Sequence, residues 1–100
     1  MQITPTMKPI KIDNEKLARL QLRDRTQKDD LNLENKIRHD LKTALLKGRN
    51  LNRPVRIVLN SHIGPCSLET AVWTTTEKNI IISGGSALPI NCVESIDCQL

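Results

Sequence analysis

The spacing of hydrophobic residues changes at Pro54, and this change constrains the fold more than any other feature of the sequence. Before it, apolar residues recur at intervals of three and four, at Leu33, Ile37, Leu41, Ala44 and Leu45. After it, Val55, Ile57 and Leu59 alternate with polar residues. A period near 3.6 is typical of an amphipathic helix and a period of two of a half-buried strand. The sequence therefore predicts a helix that leads into a β-sheet.

The predicted helix covers residues 31–47. Asp29, Asp30 or Asn32 offers an N-cap, and Gly48 stands where a glycine commonly ends a helix. We expect the apolar stripe of this helix to pack on the sheet that follows, because a surface helix buries one face against its neighbours.

Strands are predicted along the rest of the chain. Residues 55–59 form the first, and 60–67, which contain Gly64-Pro65, are expected to be a turn or loop. Residues 68–76 are rich in β-branched side chains and form the second strand. A turn at 77–79 then leads into a third strand at 80–82.

Ser83-Gly84-Gly85-Ser86 predicts a hairpin between the third and fourth strands. Two adjacent glycines suit a type I′ turn, in which both central residues need positive φ. The fourth strand covers 87–90, and Pro89 places it at a sheet edge or a bulge because proline cannot donate to a ladder. A short turn then leads to a fifth strand containing Val93 and Ile96.

The N-terminal segment has a weaker pattern. Residues 1–12 carry two prolines and no period, which predicts a mobile arm, and Asp13 or Asn14 can cap a short first helix. The predicted organisation is therefore a basic, partly mobile arm or helix at 1–30 and a helix plus small β domain at 31–100. The predicted class is α+β: one or two N-terminal helices followed by a four- to five-stranded antiparallel meander or a small Sm/SH3-like barrel.

Charge is distributed unevenly along the chain. Residues 1–56 carry a net charge of +7 and residues 57–100 a net charge of −3. A basic half permits binding of nucleic acid or of an acidic protein. The candidate nucleic-acid-binding residues lie in and around the connector between helix and sheet: Lys42, Lys47, Arg49, Arg53 and Arg56.

Trp73 is the only aromatic residue of the chain. Two interpretations remain open: it is the largest side chain of the core or barrel mouth, or it anchors an interface, since tryptophan is favoured in binding hot spots. Trp73 and Thr75 are accordingly the candidate protein-binding residues.

Residue types that support catalysis or metal binding are sparse. His39 and His62 have no second ligand at metal spacing, and no nucleophile motif surrounds the serines. The three cysteines form no CxxC pair and are expected to be reduced and mostly buried. With no signal peptide or membrane-spanning run visible, the sequence predicts a cytoplasmic protein that is not an enzyme and carries no cofactor.

A pattern of short motifs runs through residues 41–97 at Thr70, Val72-Trp73, Thr76-Glu77, Gly84-Gly85, Pro89-Ile90, Val93 and Ile96. Through these residues the segment resembles a family of short bacterial proteins with no assigned activity. A more remote similarity, in the helix and in the apolar segment Leu88-Pro89-Ile90, is to the Sm-like Rho-binding antiterminator proteins. It implies a small barrel and a protein partner, although Thr70 and Ala71 replace the Gly and Asp of that family's second strand.

The predicted function is a small non-catalytic adaptor or regulatory module that binds a protein partner or another copy of itself. The alternative is an RNA- or DNA-binding module that uses the basic connector. The missing stacking aromatics favour the first prediction, because single-strand binders rely on base stacking.

Overall fold

The computed structural model describes residues 9–24, 31–51 and 53–98, with the backbone alone at 48–51. Two α-helices are present in these ranges, the single-turn α1 (Asn14–Leu17) and the long α2 (Leu31–Leu51). The strands are β1 (Ile10–Ile12), β2 (Val55–Ser61), β3 (Gly64–Thr70), β4 (Val72–Thr75), β5 (Asn79–Ile82), β6 (Ala87–Pro89) and β7 (Val93–Asp97). The α+β class is confirmed.

The strands form two sheets that enclose one core. The first sheet has the order β1-β3-β2-β7 and the second the order β4-β5-β6. All pairings are antiparallel except that of β1 with β3. A short 3-10 turn over Ile90–Cys92 joins β6 to β7. Within the described residues no ladder joins these two strands, so the sheets are not closed into a barrel by hydrogen bonds.

The predicted stripe of α2 packs on this core. Ile37 is only 1% exposed, Leu41 and Ala44 are also buried, and Leu33 and Leu45 pack against the same cluster. The predicted end at Gly48 is wrong, because the helical backbone continues to Leu51. An interior glycine costs a helix only about 1 kcal/mol, which the packing of the preceding three turns outweighs.

The prediction of a loop at 60–67 is wrong for most of its length. β2 continues to Ser61, His62 and Ile63 form a two-residue turn, and β3 begins at Gly64, whose φ of 107° few other residues adopt. Pro65 fits into β3 because β1 pairs only from Cys66 onward. The edge of β3 at Pro65 therefore has no neighbouring strand that needs its missing N–H.

The single strand predicted over 68–76 is two strands in two sheets. Thr70, Ala71 and Val72 are all buried, so the alternation of faces breaks at this point. The chain leaves the first sheet after Thr70 and enters the second at Val72. Nothing in the β-branched composition marks the break, because both halves have the same strand propensity.

The predicted glycine hairpin joins β5 to β6, and both Gly84 (φ 95°) and Gly85 (φ 88°) have positive φ. Its turn is not the predicted two-residue type I′. The Gly85 amide donates to the Ile82 carbonyl over 2.9 Å, which makes Ser83 and Gly84 the central residues. β6 is an edge strand, as its proline predicts, but it ends at Pro89, because Ile90 already belongs to the 3-10 turn.

The N-terminal segment takes part in the fold. β1 pairs in parallel with Cys66–Leu68, where the sequence predicted a mobile arm up to residue 12. Asp13 caps α1 as predicted, its carboxylate accepting a 2.8 Å hydrogen bond from the Lys16 amide. Leu17 of α1 is 7% exposed and belongs to the core cluster. Of the proposed caps of α2, Asp29 and Asp30 lie outside the described residues, and Asn32 is not a cap because the helix already begins at Leu31.

Candidate functional site

Trp73 occupies a β-bulge on the edge strand β4. Val72 pairs with Ile82 and Thr74 with Ile81, so Trp73 is the extra residue between two successive pairs. A bulge of this kind changes the direction of its side chain. Trp73 is 48% exposed, and the interpretation of this residue as a core side chain is therefore wrong. The interpretation as an interface anchor stays a prediction.

The residues next to Trp73 in the register of the second sheet carry no charge. Thr74, Ile81 and Ala87 lie side by side across β4, β5 and β6, and none of the three is buried. Residues that are opposite each other in a ladder share one face of the sheet. We call Trp73, Thr74, Ile81 and Ala87 the neutral face. It is formed by apolar, hydroxyl and aromatic groups only.

Thr75, the second predicted protein-binding residue, does not lie on the neutral face. Its partner in the ladder is Ile80, which is fully buried. Residues two apart in a regular strand share a face, but the bulge shifts the alternation of β4 by one residue, so Thr75 is on the opposite side of the sheet from both Trp73 and Thr74. The structure therefore assigns Trp73 and Thr75 to different surfaces.

Thr75 lines a cavity of about 410 Å³ between α2 and the second sheet. We call this cavity the α2 groove. One wall consists of helix residues and the other of the end of β4 and the start of the 3-10 turn. The lining residues are Asn35, Arg38, His39, Leu41, Lys42, Leu45, Thr75, Thr76 and Ile90.

The predicted nucleic-acid-binding residues do not form one cluster of available cations among the described side chains. The Lys47 ammonium donates to the backbone carbonyl of Cys98. Arg56 contacts Glu69 on the neighbouring strand at 3.7 Å and is opposite Asp97 on the other side. Lys42 and Arg53 are exposed, and the Arg49 side chain lies outside the described residues.

Arg56 is also the site of an unusual buried atom. Its Nε is buried and has no hydrogen-bond partner among the described residues, while its terminal nitrogen contacts Glu69. The residue lies in a cross-strand row between two carboxylates, where it neutralises part of the outer face of the first sheet. Arg56 is therefore engaged within the fold.

The described residues contain no group of three or more His, Cys, Asp or Glu side chains that could hold a metal ion. None of the three cysteines forms a disulfide there, and Cys66 and Cys92 are buried. In the same part of the chain, no helix has the length and hydrophobicity needed to cross a membrane.

Sequence reasoning missed most members of both surfaces. The neutral face depends on the bulge at Trp73, and a bulge without a glycine or proline has no reliable local signal. The α2 groove combines residues that are distant in sequence, such as Lys42 and Ile90. Of the groove residues, the sequence analysis named Lys42 and Thr75 as candidate binding residues, and it assigned them to two different sites.

No family model, curated protein or solved structure matches this chain. The two resemblances therefore stay predictions, and the function is argued from the two surfaces.

Proposed function

We propose that the protein is a non-catalytic adaptor or regulatory module that binds a protein partner through the neutral face, with Trp73 as the anchor. The observation that carries this proposal is the exposure of Trp73. The largest side chain of the chain is 48% exposed on an edge strand instead of in the core. Binding would remove its remaining apolar surface from water, which is the main favourable term in protein association.

The composition of the neutral face supports a protein partner. The centres of protein interfaces are depleted in charge and enriched in aromatic residues, and tryptophan is prominent among hot spots. Trp73 has uncharged neighbours at Thr74, Ile81 and Ala87, so its contact surface needs no desolvation of ions. An uncharged surface of this kind would bind phosphate groups poorly, because it offers them no cation.

A different protein is a better partner than a second copy of the chain. The net charge of +4 makes two copies repel each other, and the neutral face has no ionic groups to offset this repulsion. The remote similarity to Rho-binding proteins, which bind a protein, points in the same direction. Self-association is then an outcome that the experiments below can detect.

The test begins by identifying the partner. A photo-crosslinking amino acid placed at Thr74, beside Trp73, is expected to capture the partner in cells, whereas the same group at the exposed Glu69 on the first sheet is not. The captured protein is then purified and titrated against the full chain. Trp73→Ala is expected to weaken binding roughly 30-fold, the loss given by a hot-spot residue of about 2 kcal/mol.

Leu46→Ala is the matched control, since Leu46 is an apolar side chain that is 62% exposed on α2. It should leave the affinity unchanged. The proposal would be contradicted if the wild type and Trp73→Ala bind the partner equally well while circular dichroism shows that both proteins are folded. Analytical ultracentrifugation of the wild type alone shows whether the partner is a second copy.

The nucleic-acid alternative predicts a different response to salt. About four phosphate contacts would weaken binding of an RNA or DNA pool roughly a hundredfold between ~50 and ~200 mM salt, because counterions are released. Salt-sensitive micromolar binding that is lost in an Arg49→Ala/Arg53→Ala double variant would favour the alternative. We expect no such binding.

A further inference from the structure

Besides the neutral face, the α2 groove is a surface feature that the packing of the fold does not require. Its base is aliphatic: Leu41 and Ile90 are buried members of the core, and Leu45 is half-buried beside them. Its volume of about 410 Å³ lies within the range of pockets that hold ligands. The base is therefore suited to one or two aliphatic side chains.

The rim of the α2 groove is cationic and polar. Arg38 and Lys42 line it, and no carboxylate of the described residues does. Lys42 has no ion-pair or hydrogen-bond partner among the described residues. Arg38 is 3.6 Å from Glu34 in an exposed pair one helical turn away, an interaction worth only about 0.2–0.5 kcal/mol. Both cations are therefore available to an anionic ligand.

A neighbouring cavity adds a further cation beside the α2 groove. It shares Arg38 and Ile90 with the α2 groove and adds Glu77, Lys78 and Asn91. The two cavities together present three lysine or arginine side chains and one carboxylate. The hydroxyl of Thr75 and the amide of Asn35 provide uncharged hydrogen-bonding groups along the α2 groove, whereas the Thr76 hydroxyl is bonded to the Asn79 backbone.

We propose that the α2 groove binds an acidic peptide segment that carries aliphatic side chains. Carboxylates of the segment pair with Arg38 and Lys42, and an aliphatic side chain contacts Leu45 and Ile90. Thr75 faces the groove while Trp73 is on the other side of the sheet, so this site is separate from the neutral face and goes beyond the function proposed above. The protein would then have two binding surfaces, one neutral and one cationic.

The chemistry of the α2 groove favours a peptide over a nucleic acid. Base recognition in single strands uses aromatic platforms, and the only aromatic residue of the chain is elsewhere. An aliphatic base flanked by cations instead matches a segment in which leucine or isoleucine alternates with aspartate or glutamate. Complementary charge at the rim fixes the register of such a segment and accelerates its association.

The experiment uses the full chain and fluorescence anisotropy. The probe is a labelled peptide of alternating glutamate and leucine. Two matched peptides carry glutamine for glutamate or serine for leucine, and a single-stranded RNA of equal net charge is the fourth probe. We expect the glutamate–leucine peptide to bind at least about tenfold more tightly than any of the other three probes.

The variant Arg38→Glu/Lys42→Glu should weaken binding of this peptide by about tenfold or more, and Arg38→Gln/Lys42→Gln by a smaller factor. Lys16→Glu/Arg19→Glu, with the same change in net charge on exposed residues of the α1 region, should change it less than threefold. Circular dichroism checks that each variant is folded. Trp73→Ala should leave peptide binding intact, which separates this proposal from that for the neutral face.

Three results would overturn the proposal. One is equal weakening by the two charge-reversal variants, which would mean attraction to net charge alone. Another is equal affinity for the glutamine or serine peptide. The third is tighter binding of the RNA that is lost in Arg38→Glu/Lys42→Glu, which would make the α2 groove a phosphate site.

Discussion

Cys98 lies where the end of β7 meets α2. Its thiol donates a 3.4 Å hydrogen bond to the Asp40 carbonyl, and its own carbonyl accepts one from Lys47. Burial raises the pKa of the Cys98 thiol above its ordinary value, and the Asp40 carboxylate raises it further. Lys47 acts in the opposite direction. The reactivity of this thiol therefore reports on the contact between helix and sheet.

We predict opposite effects of two substitutions on Cys98. Asp40→Asn removes a negative charge and lowers the thiol pKa, so alkylation by iodoacetamide becomes faster, because the thiolate is the reacting form. Lys47→Met removes a positive charge and raises the pKa, so alkylation becomes slower. The rate as a function of pH, followed by mass spectrometry at Cys98, measures both.

Cys66 and Cys92 provide the internal control in this experiment. Both are buried and should stay unmodified while the protein is folded. If the two substitutions change the rate at Cys98 in the same direction, accessibility and not charge controls its reactivity.

At the scale of elements, the hairpin between β5 and β6 allows two neighbouring glycines to be compared. Each has positive φ, which costs an L-residue roughly 1–2 kcal/mol. A Cβ at Gly84 would also lie 3.2 Å from Nδ2 of Asn14, whereas a Cβ at Gly85 would meet no atom of the described residues within 4 Å. We predict that Gly84→Ala lowers the free energy of unfolding more than Gly85→Ala does.

Urea denaturation of the two variants measures this difference. Repeating it in an Asn14→Ala background tests the cause, because the penalty at Gly84 should then fall to that at Gly85. A difference that persists without the Asn14 side chain would contradict the steric explanation.

The predictability of each element depended on the range of the interactions that form it. The α2 stripe and the glycine hairpin were predicted because period and turn chemistry are local. The split between β3 and β4 depends on the passage of the chain from the first sheet to the second at Ala71. The bulge at Trp73 depends on the register of β4 against β5. Such long-range pairings leave no mark on the residues themselves, and for this reason the neutral face could not be predicted.

At the scale of the whole molecule, the N-terminal segment and the β domain share one core. Leu17 of α1 is buried in it, β1 lies along β3, and Leu22 forms a bridge with Ser61. The sequence predicted a separate arm or helix at 1–30 because this mostly polar segment has a weaker hydrophobic pattern than residues 31–100. Polarity along the chain does not show that one leucine of a polar segment is buried.

We predict that Leu17→Ala destabilises the whole domain. Loss of a buried leucine typically costs 2–5 kcal/mol, and the lower end applies because Leu17 is near the surface at 7% exposure. Urea unfolding should remain a single transition at a lower midpoint, both by circular dichroism and by labelling of Cys66. Leu46→Ala serves as the control and should leave the midpoint unchanged.

An unchanged midpoint for Leu17→Ala would mean that the N-terminal segment is an independent arm. Two separate transitions, one reported by labelling of Cys66 beside β1 and another by circular dichroism, would indicate that it unfolds before the rest.

The parallel pairing of β1 with β3 has a consequence for biosynthesis. A ribosome makes the chain from its N-terminus, so β1 and Leu17 are exposed before Cys66–Leu68 and the strands around them have been made. Hydrophobic residues of β1 are therefore available to chaperones during translation of the helix and of β2. The edge of the first sheet is completed only when β1, which is synthesised earlier, pairs with β3, which is synthesised later.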